Sequence, residues 1–200
     1  MSAAQDYQQA MSIEAYLAQL EQNRDRVTRN IERTKIDPAL RARFAGEPLH
    51  VLVLTEDWCI DSAQFVPMLI RLSRELPSVE VRFLRRNEHR DLAAAYPRKD
   101  GYQAIPIFVL FDVHMRELGA LVERPARATE EMNAEIRRFQ QTRPDLPGIT
   151  RALNNMPETT RAIVKEHLAR WREGLHDRWT RYFLEDLAEI VDRARSHQSV

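Results

Sequence analysis

Cysteine is almost absent from this sequence, in which Cys59 is the only one among 200 residues. A single thiol excludes an internal disulfide and fits a reducing compartment, where protein disulfides are rare. The cysteine lies in the segment TEDWCIDS, residues 55–62, where an apolar run gives way to polar, helix-starting residues. It is therefore either a reactive thiol or a small buried residue.

Net charge and long apolar segments are also lacking. Thirty Lys and Arg residues balance thirty Asp and Glu residues, so no overall field attracts nucleic acid or an anionic membrane surface. The longest uncharged apolar runs, Leu49–Thr55 and Ala104–Phe111, are far too short to span a bilayer. Residues 1–20 show no basic start followed by a continuous apolar segment, so we expect no signal peptide and a cytoplasmic location.

Short β-rich runs alternate with segments of helical periodicity in a chain that is 44% hydrophobic and 30% charged, as in globular proteins. The run LHVLVLT is apolar at nearly every position, which is typical of a central strand covered on both faces. Strands are predicted at residues 49–55, 79–85, 104–112 and 116–125. The last is expected to be antiparallel to the third, because their connection is too short for a crossover.

Helical periodicity and capping residues indicate helices between and around these strands. Helices are predicted at residues 12–35, 61–76 and 88–96. A short helix is predicted after the capping pair Asp37-Pro38, and another from the cap Thr129 to residue 141. The last helical segment is predicted over residues 158–195, with a break near Gly174. The apolar face of the last segment is expected to cover the core or to form a homodimer contact. The pattern predicts an α/β fold with a mixed sheet of about four strands flanked by helices.

Three features around the cysteine are specific. Trp58-Cys59 directly follows a buried strand, Pro67 lies inside the next predicted helix, and Ile105-Pro106 opens the third strand. Together with the order of strands and helices, this arrangement resembles the thioredoxin fold. The sequence looks most like a bacterial branch of thioredoxin-like proteins that carry long helical extensions.

The resemblance implies a thioredoxin-like domain at residues 47–141, between a helical extension at 1–46 and another at 142–200. The sequence departs from the thioredoxin pattern in two places. Ser62 stands in place of the second, resolving cysteine, and Val53 stands in place of a buried acid that assists the resolving step. The departures agree with each other, because a protein without a resolving thiol needs no base to activate it.

The resemblance also implies roles for five residues. Cys59 is expected to be the catalytic nucleophile, with the Ser62 hydroxyl as a hydrogen-bond donor to it. Trp58, Ile105 and a cis-Pro106 are expected to bind the substrate beside the sulfur.

The ionisation of Cys59 depends on two opposing influences. The unpaired N–H groups and the dipole at a helix N-terminus favour a thiolate. The nearby carboxylates of Glu56, Asp57 and Asp61 disfavour a second negative charge. We therefore expect a moderately lowered thiol pKa.

These features predict a monothiol oxidoreductase or isomerase that acts on mixed disulfides of proteins or small thiols. Because one cysteine cannot resolve the complex, an external low-molecular-weight thiol is expected as co-substrate, with no other cofactor. No nucleic-acid or membrane partner is expected. The six histidines show no metal-ligand spacing, so no metal site is predicted.

Other interpretations of the same residues stay open. The chain is alternatively a redox-inactive thioredoxin-fold binding module that uses the Pro106 groove and the helical tail, or a sensor in which Cys59 is oxidised. Each site residue also has a purely structural interpretation. Cys59 would then be a buried residue without a role, Pro106 would be a trans proline at the start of a strand, and Ser62 would be a helix residue without contact to the sulfur.

Overall fold

The computed structural model of the chain describes residues 3–198. These residues form two compact units. One comprises residues 3–124 together with 180–198, and the other comprises residues 125–179. The units reflect packing in space, so the predicted division of the sequence at 46/47 and 141/142 stays a prediction.

The first unit is built on a four-stranded mixed sheet. Its strands are β1 (Leu49–Thr55), β2 (Val79–Arg85), β3 (Ile107–Phe111) and β4 (Glu117–Val122). In the order β2-β1-β3-β4, β2 is parallel to β1, and β3 is antiparallel to both β1 and β4. The predicted α/β class, the central position of β1 and the antiparallel β3–β4 pair are confirmed.

Helices precede, connect and follow the strands. They are α1 (Ala3–Gln9), α2 (Ile13–Ala18), α3 (Arg24–Arg33), α4 (Pro38–Ala42), α5 (Ile60–Glu75), α6 (Arg90–Ala94), α7 (Ala126–Thr142), α8 (Glu158–Glu173) and α9 (His176–Gln198). Asp37 caps α4 as predicted, since its carboxylate accepts the Ala39 N–H at 2.8 Å. Within residues 3–198, every helix is too short or too polar to form a transmembrane segment.

The prediction of a single helix over residues 12–35 is wrong, because α2 and α3 are separated by a turn. The carboxylate of Asp57 accepts the N–H groups of Glu21 and Gln22 at 3.1 and 3.2 Å, and so competes with helical hydrogen bonding. Asn23 then adopts a left-handed conformation with φ of 54°. A side chain from a distant part of the sequence therefore ends α2 and starts α3.

The core of the first unit includes the part of α9 that belongs to it. Phe183 on α9 packs against Phe65 on α5 and Phe108 on β3, with ring centroids 5.5 and 4.8 Å apart. All three side chains are fully buried. The apolar face of this part of α9 is consequently a component of the sheet's own core.

The second unit consists of α7, a short 3-10 helix (Leu153–Asn155), α8 and the first turn of α9. Its buried cluster comprises Met132, Phe139, Leu146, Ile149, Met156, Val164 and Leu168. The predicted cap of α7 at Thr129 is wrong, because the helix starts after Pro125 and the Thr129 hydroxyl bonds back to the Pro125 carbonyl. The predicted break near Gly174 is confirmed by the end of α8 at Glu173.

Candidate functional site

Cys59 lies at the N-terminus of α5, four residues after the end of β1 at Thr55. It is the residue that caps the helix, and its sulfur accepts the backbone N–H of Ser62 at 3.4 Å. One of the unpaired N–H groups at the helix N-terminus is thereby directed at the sulfur. The turn between β1 and α5 therefore fixes the position of the thiol.

The peptide before β3 lies next to the thiol. The bond between Ile105 and Pro106 is cis. The Cys59 thiol donates a hydrogen bond to the Ile105 carbonyl, with 3.4 Å between sulfur and oxygen. The Pro106 carbonyl accepts the Glu123 N–H at 2.7 Å, which ties this segment to the end of β4. The start of α5, the segment before β3 and the end of β4 thus bring Cys59, Ile105 and Pro106 together.

The thiol is shielded from solvent, since Cys59 is only 8% exposed. It belongs to an apolar cluster that includes Leu52, Leu54, Ile105 and Ile107. Its neighbours in sequence differ, because Trp58 and Ile60 are 45% and 40% exposed. An exposed apolar surface therefore borders a buried sulfur.

Burial raises the pKa of the Cys59 thiol above its ordinary value, and the nearby charge of Asp61 raises it further. Hydrogen bonds from Ser62 and from the first turn of α5 lower the pKa without overcoming these effects. The predicted moderate lowering is therefore wrong. The reason is desolvation: the apolar surroundings disfavour a thiolate more strongly than the helix N-terminus favours it.

Ser62 contacts the sulfur through its backbone, and its side chain is 1% exposed. Within residues 3–198, no group makes a hydrogen bond of ordinary geometry with its buried hydroxyl oxygen. The side chain nevertheless lies close enough to the sulfur to lower the thiol pKa. The hydroxyl is therefore placed to donate to a thiolate, although it does not do so to the neutral thiol.

Two of the three carboxylates near Cys59 are engaged elsewhere. Asp57 holds the turn between α2 and α3, and Glu56 accepts the Asn87 N–H at 2.7 Å. Arg85 lies 3.8 Å from both carboxylates. These acids therefore stabilise the loops around the site, which the sequence alone did not indicate.

The third carboxylate, Asp61, pairs with a residue that the sequence analysis did not single out. Arg124 Nη1 lies 2.6 Å from Asp61 Oδ2, and Arg124 Nη2 lies 2.7 Å from Glu123 Oε1. The signal in the sequence is positional, because Arg124 lies two residues after β4, the strand that pairs with β3. Only the register of that pair, which places Val122 opposite Ile107, shows that Arg124 reaches the site.

Val53 is fully buried in β1, opposite Phe83 of β2 and Phe108 of β3. These neighbours are apolar, so nothing at this position can move a proton. Among residues 3–198, no group of three or more His, Cys, Asp or Glu side chains is placed to hold a metal ion. The groups placed next to the sulfur are the Ser62 side chain, the Ser62 N–H and the Ile105 carbonyl.

Two solved structures share this fold. A Pseudomonas aeruginosa protein of unknown function is 19% identical, with a TM-score of 0.65, over 97% of this chain and 99% of that one. An HIV epitope-scaffold is 18% identical, with a TM-score of 0.63, over 96% of this chain and 98% of that one. At such identities the likeness shows the fold alone.

No curated protein matches the chain. A family model described as Thioredoxin matches residues 10–139, which is more than half of the 200 residues. The chain therefore belongs to this thioredoxin family.

Proposed function

We propose that this chain is a cytoplasmic, monothiol member of the bacterial thioredoxin-like proteins and that it exchanges thiols with mixed disulfides. The observation that carries the proposal is the pair of contacts at the sulfur. Cys59 accepts the Ser62 N–H at the start of α5 and donates to the Ile105 carbonyl. The first contact supports a thiolate, and the second orients the thiol against the Ile105–Pro106 segment.

The proposed reaction has two exchange steps. The Cys59 thiol first loses its proton to water or buffer, and the thiolate attacks one sulfur of a substrate disulfide. A Cys59–substrate disulfide forms, and the other sulfur leaves as a thiolate that takes up a proton. A low-molecular-weight thiolate then attacks this bond and releases Cys59, since the chain has no second cysteine to do so. The electrons come from the external thiol, and no cofactor is required.

The Ile105 carbonyl gives the substrate a place to bind. In the free protein this oxygen accepts the Cys59 S–H. A thiolate or a mixed disulfide has no S–H, so the oxygen loses its donor and can accept a backbone N–H of the substrate. The exposed Trp58 ring supplies apolar contact area beside it.

The raised pKa slows this chemistry without preventing it. Each pKa unit lowers the thiolate fraction tenfold at neutral pH, but a more basic thiolate is also more reactive. The exchange rate therefore falls by only about three- to fourfold per unit. The proposed function is consequently slow exchange that rises toward alkaline pH.

A second candidate function is a redox-inactive binding module. The burial of Cys59 and its raised pKa favour this candidate, because both disfavour attack by the sulfur. The same exposed residues, Trp58 and Ile60, would then hold a partner without any exchange.

Turnover separates the two candidates. The wild-type protein and Cys59→Ser are assayed for release of glutathione from a glutathionylated peptide, with reduced glutathione present as the external thiol. We expect release above the uncatalysed rate for the wild type and release at the uncatalysed rate for Cys59→Ser. Equal rates for the two proteins, both folded by circular dichroism, would favour the binding module.

A further inference from the structure

The chain makes a strained turn immediately after β4. The Arg124 N–H donates to the Val122 carbonyl at 3.0 Å, and Glu123 between them has φ of 67°. A three-residue turn closed in this way, with positive φ at its centre, is the rare form of the γ-turn and is unfavourable for a residue with a side chain. Such strain persists where the surrounding structure imposes it, frequently at functional sites.

The strained turn brings two consecutive residues against two different parts of the Cys59 site. The Glu123 N–H donates to the Pro106 carbonyl at 2.7 Å, and the Arg124 guanidinium contacts Asp61 in the first turn of α5 at 2.6 Å. The Arg124 side chain is only 8% exposed. A buried guanidinium fixed by two carboxylates, those of Asp61 and Glu123, is a rigid connection rather than a solvated surface pair.

We propose that Arg124 is a positioning residue of the Cys59 site, which together with the Glu123 N–H joins the first turn of α5 to the Ile105–Pro106 segment and screens the Asp61 charge from the sulfur. The inference concerns the site of the proposed function, but it does not require turnover. Ionisation of the thiol can be measured whether or not the protein exchanges disulfides.

The charges around the sulfur determine what the loss of Arg124 does. The charged and titratable groups of the site and its surroundings are Asp61 on α5, Glu123 and Arg124 after β4, Arg98 paired with Glu123, Tyr16 on α2, and Glu56 and Asp57 with Arg85. Asp61 is the acid among them that raises the thiol pKa. Without the Arg124 cation, more of this negative charge acts on the sulfur, and the pKa rises further.

The test measures the rate of Cys59 alkylation by iodoacetamide from neutral to strongly alkaline pH. Arg124→Gln is expected to raise the thiol pKa by about 0.5 to 1, which lowers the rate at a fixed pH below the pKa by about two- to fourfold, because the more basic thiolate is also more reactive. Arg124→Lys keeps the charge and is expected to retain most of the wild-type pKa. Asp61→Asn is expected to lower the pKa, and the double variant Asp61→Asn/Arg124→Gln to lie near the wild type.

A matched control is available at the other end of the hairpin formed by β3 and β4. Arg116 pairs with Asp112 at 2.6 Å near the β3–β4 turn, and its side chain is mostly exposed. Arg116→Gln also removes one arginine from an ion pair of this hairpin, and we expect no change in the thiol pKa.

A purely structural role for Arg124 predicts the opposite result. Loosening the site would admit water to the thiol, so the pKa of Arg124→Gln would fall and alkylation would accelerate at every pH. That outcome, or an unchanged pKa, overturns the inference. If Arg124→Gln fails to fold, the double variant is compared with Asp61→Asn: a higher thiol pKa in the double variant supports the inference, and equal pKa values contradict it.

Discussion

The carboxylates on the two sides of Cys59 lie in different surroundings, although the sequence presents them as one acidic segment. On the N-terminal side, Asp57 and Glu56 accept backbone N–H groups of distant loops. On the C-terminal side, Asp61 pairs with the buried Arg124 guanidinium and raises the pKa of the thiol. The first pair therefore stabilises the structure around the site, and the second sets the charge that the sulfur experiences.

Among the changes considered, loss of the Asp57 carboxylate on the N-terminal side of Cys59 is expected to have the largest effect on stability. Asp57→Ala removes the acceptor of the Glu21 and Gln22 N–H groups, and so leaves the turn between α2 and α3 without its anchor. We expect the free energy of unfolding to fall by about 2 to 4 kcal/mol, because a hydrogen bond to a charged group contributes about 1.5 to 3 kcal/mol and the two N–H groups share one carboxylate oxygen. Chemical denaturation measures this loss.

The exposed Glu88 provides the control for that experiment. Glu88→Gln removes one negative charge from the same unit, and its stability is expected to change by less than about 0.5 kcal/mol. Equal losses for Asp57→Ala and Glu88→Gln would show that Asp57 does not anchor the turn.

The pH dependence of stability tests whether the pKa of the Cys59 thiol is raised in the folded protein. The folded-state pKa of Cys59 is raised, so the neutral thiol stabilises the folded protein fully below the pKa of an unfolded cysteine, about 8.5. That contribution is lost as the pH rises through the folded-state pKa. We expect the wild type to lose stability relative to Cys59→Ser as the pH increases above about 8.5, as measured by urea unfolding. A pH-independent difference between the two proteins would show that the thiol pKa is not raised.

Ser62→Ala is expected to have the smallest effect on stability. The Ser62 hydroxyl is buried without a hydrogen bond of ordinary geometry within residues 3–198, so replacing it leaves stability unchanged or slightly increased. The thiol pKa is expected to rise, because the side chain that lowers it is gone. Ser73→Ala, farther along α5, controls for the gain in helix propensity. A clear loss of stability in Ser62→Ala alone would show that the hydroxyl has a structural partner.

The strands and the position of the cysteine were predictable from the sequence. β1 and β2 have the predicted bounds, because runs such as LHVLVLT and VEVRFLR carry their burial pattern in the sequence itself. The start of α5 was also indicated locally, since polar residues follow a buried strand. The family match over residues 10–139 agrees with the resemblance based on the cysteine and the two prolines.

The features that depend on distant residues were not predictable in the same way. The break between α2 and α3 is imposed by Asp57, which lies more than thirty residues further along the chain. The raised thiol pKa results from burial among side chains of several elements, which no local pattern reports. Arg124 reaches Asp61 only because a strained turn follows β4. Local chemistry therefore predicted the elements, and tertiary packing decided the electrostatics.

The rate at which Cys59 forms a mixed disulfide in a single turnover tests the central claim most directly. Full-length protein is mixed with a glutathionylated peptide, without an external thiol, and the covalent adduct is followed by mass spectrometry as a function of pH. The account predicts an adduct on Cys59 alone, at a rate that still increases above the ordinary cysteine pKa of about 8.5 and is absent in Cys59→Ser. No adduct at any pH at which the protein stays folded, or a rate that is already constant near neutral pH, would contradict it.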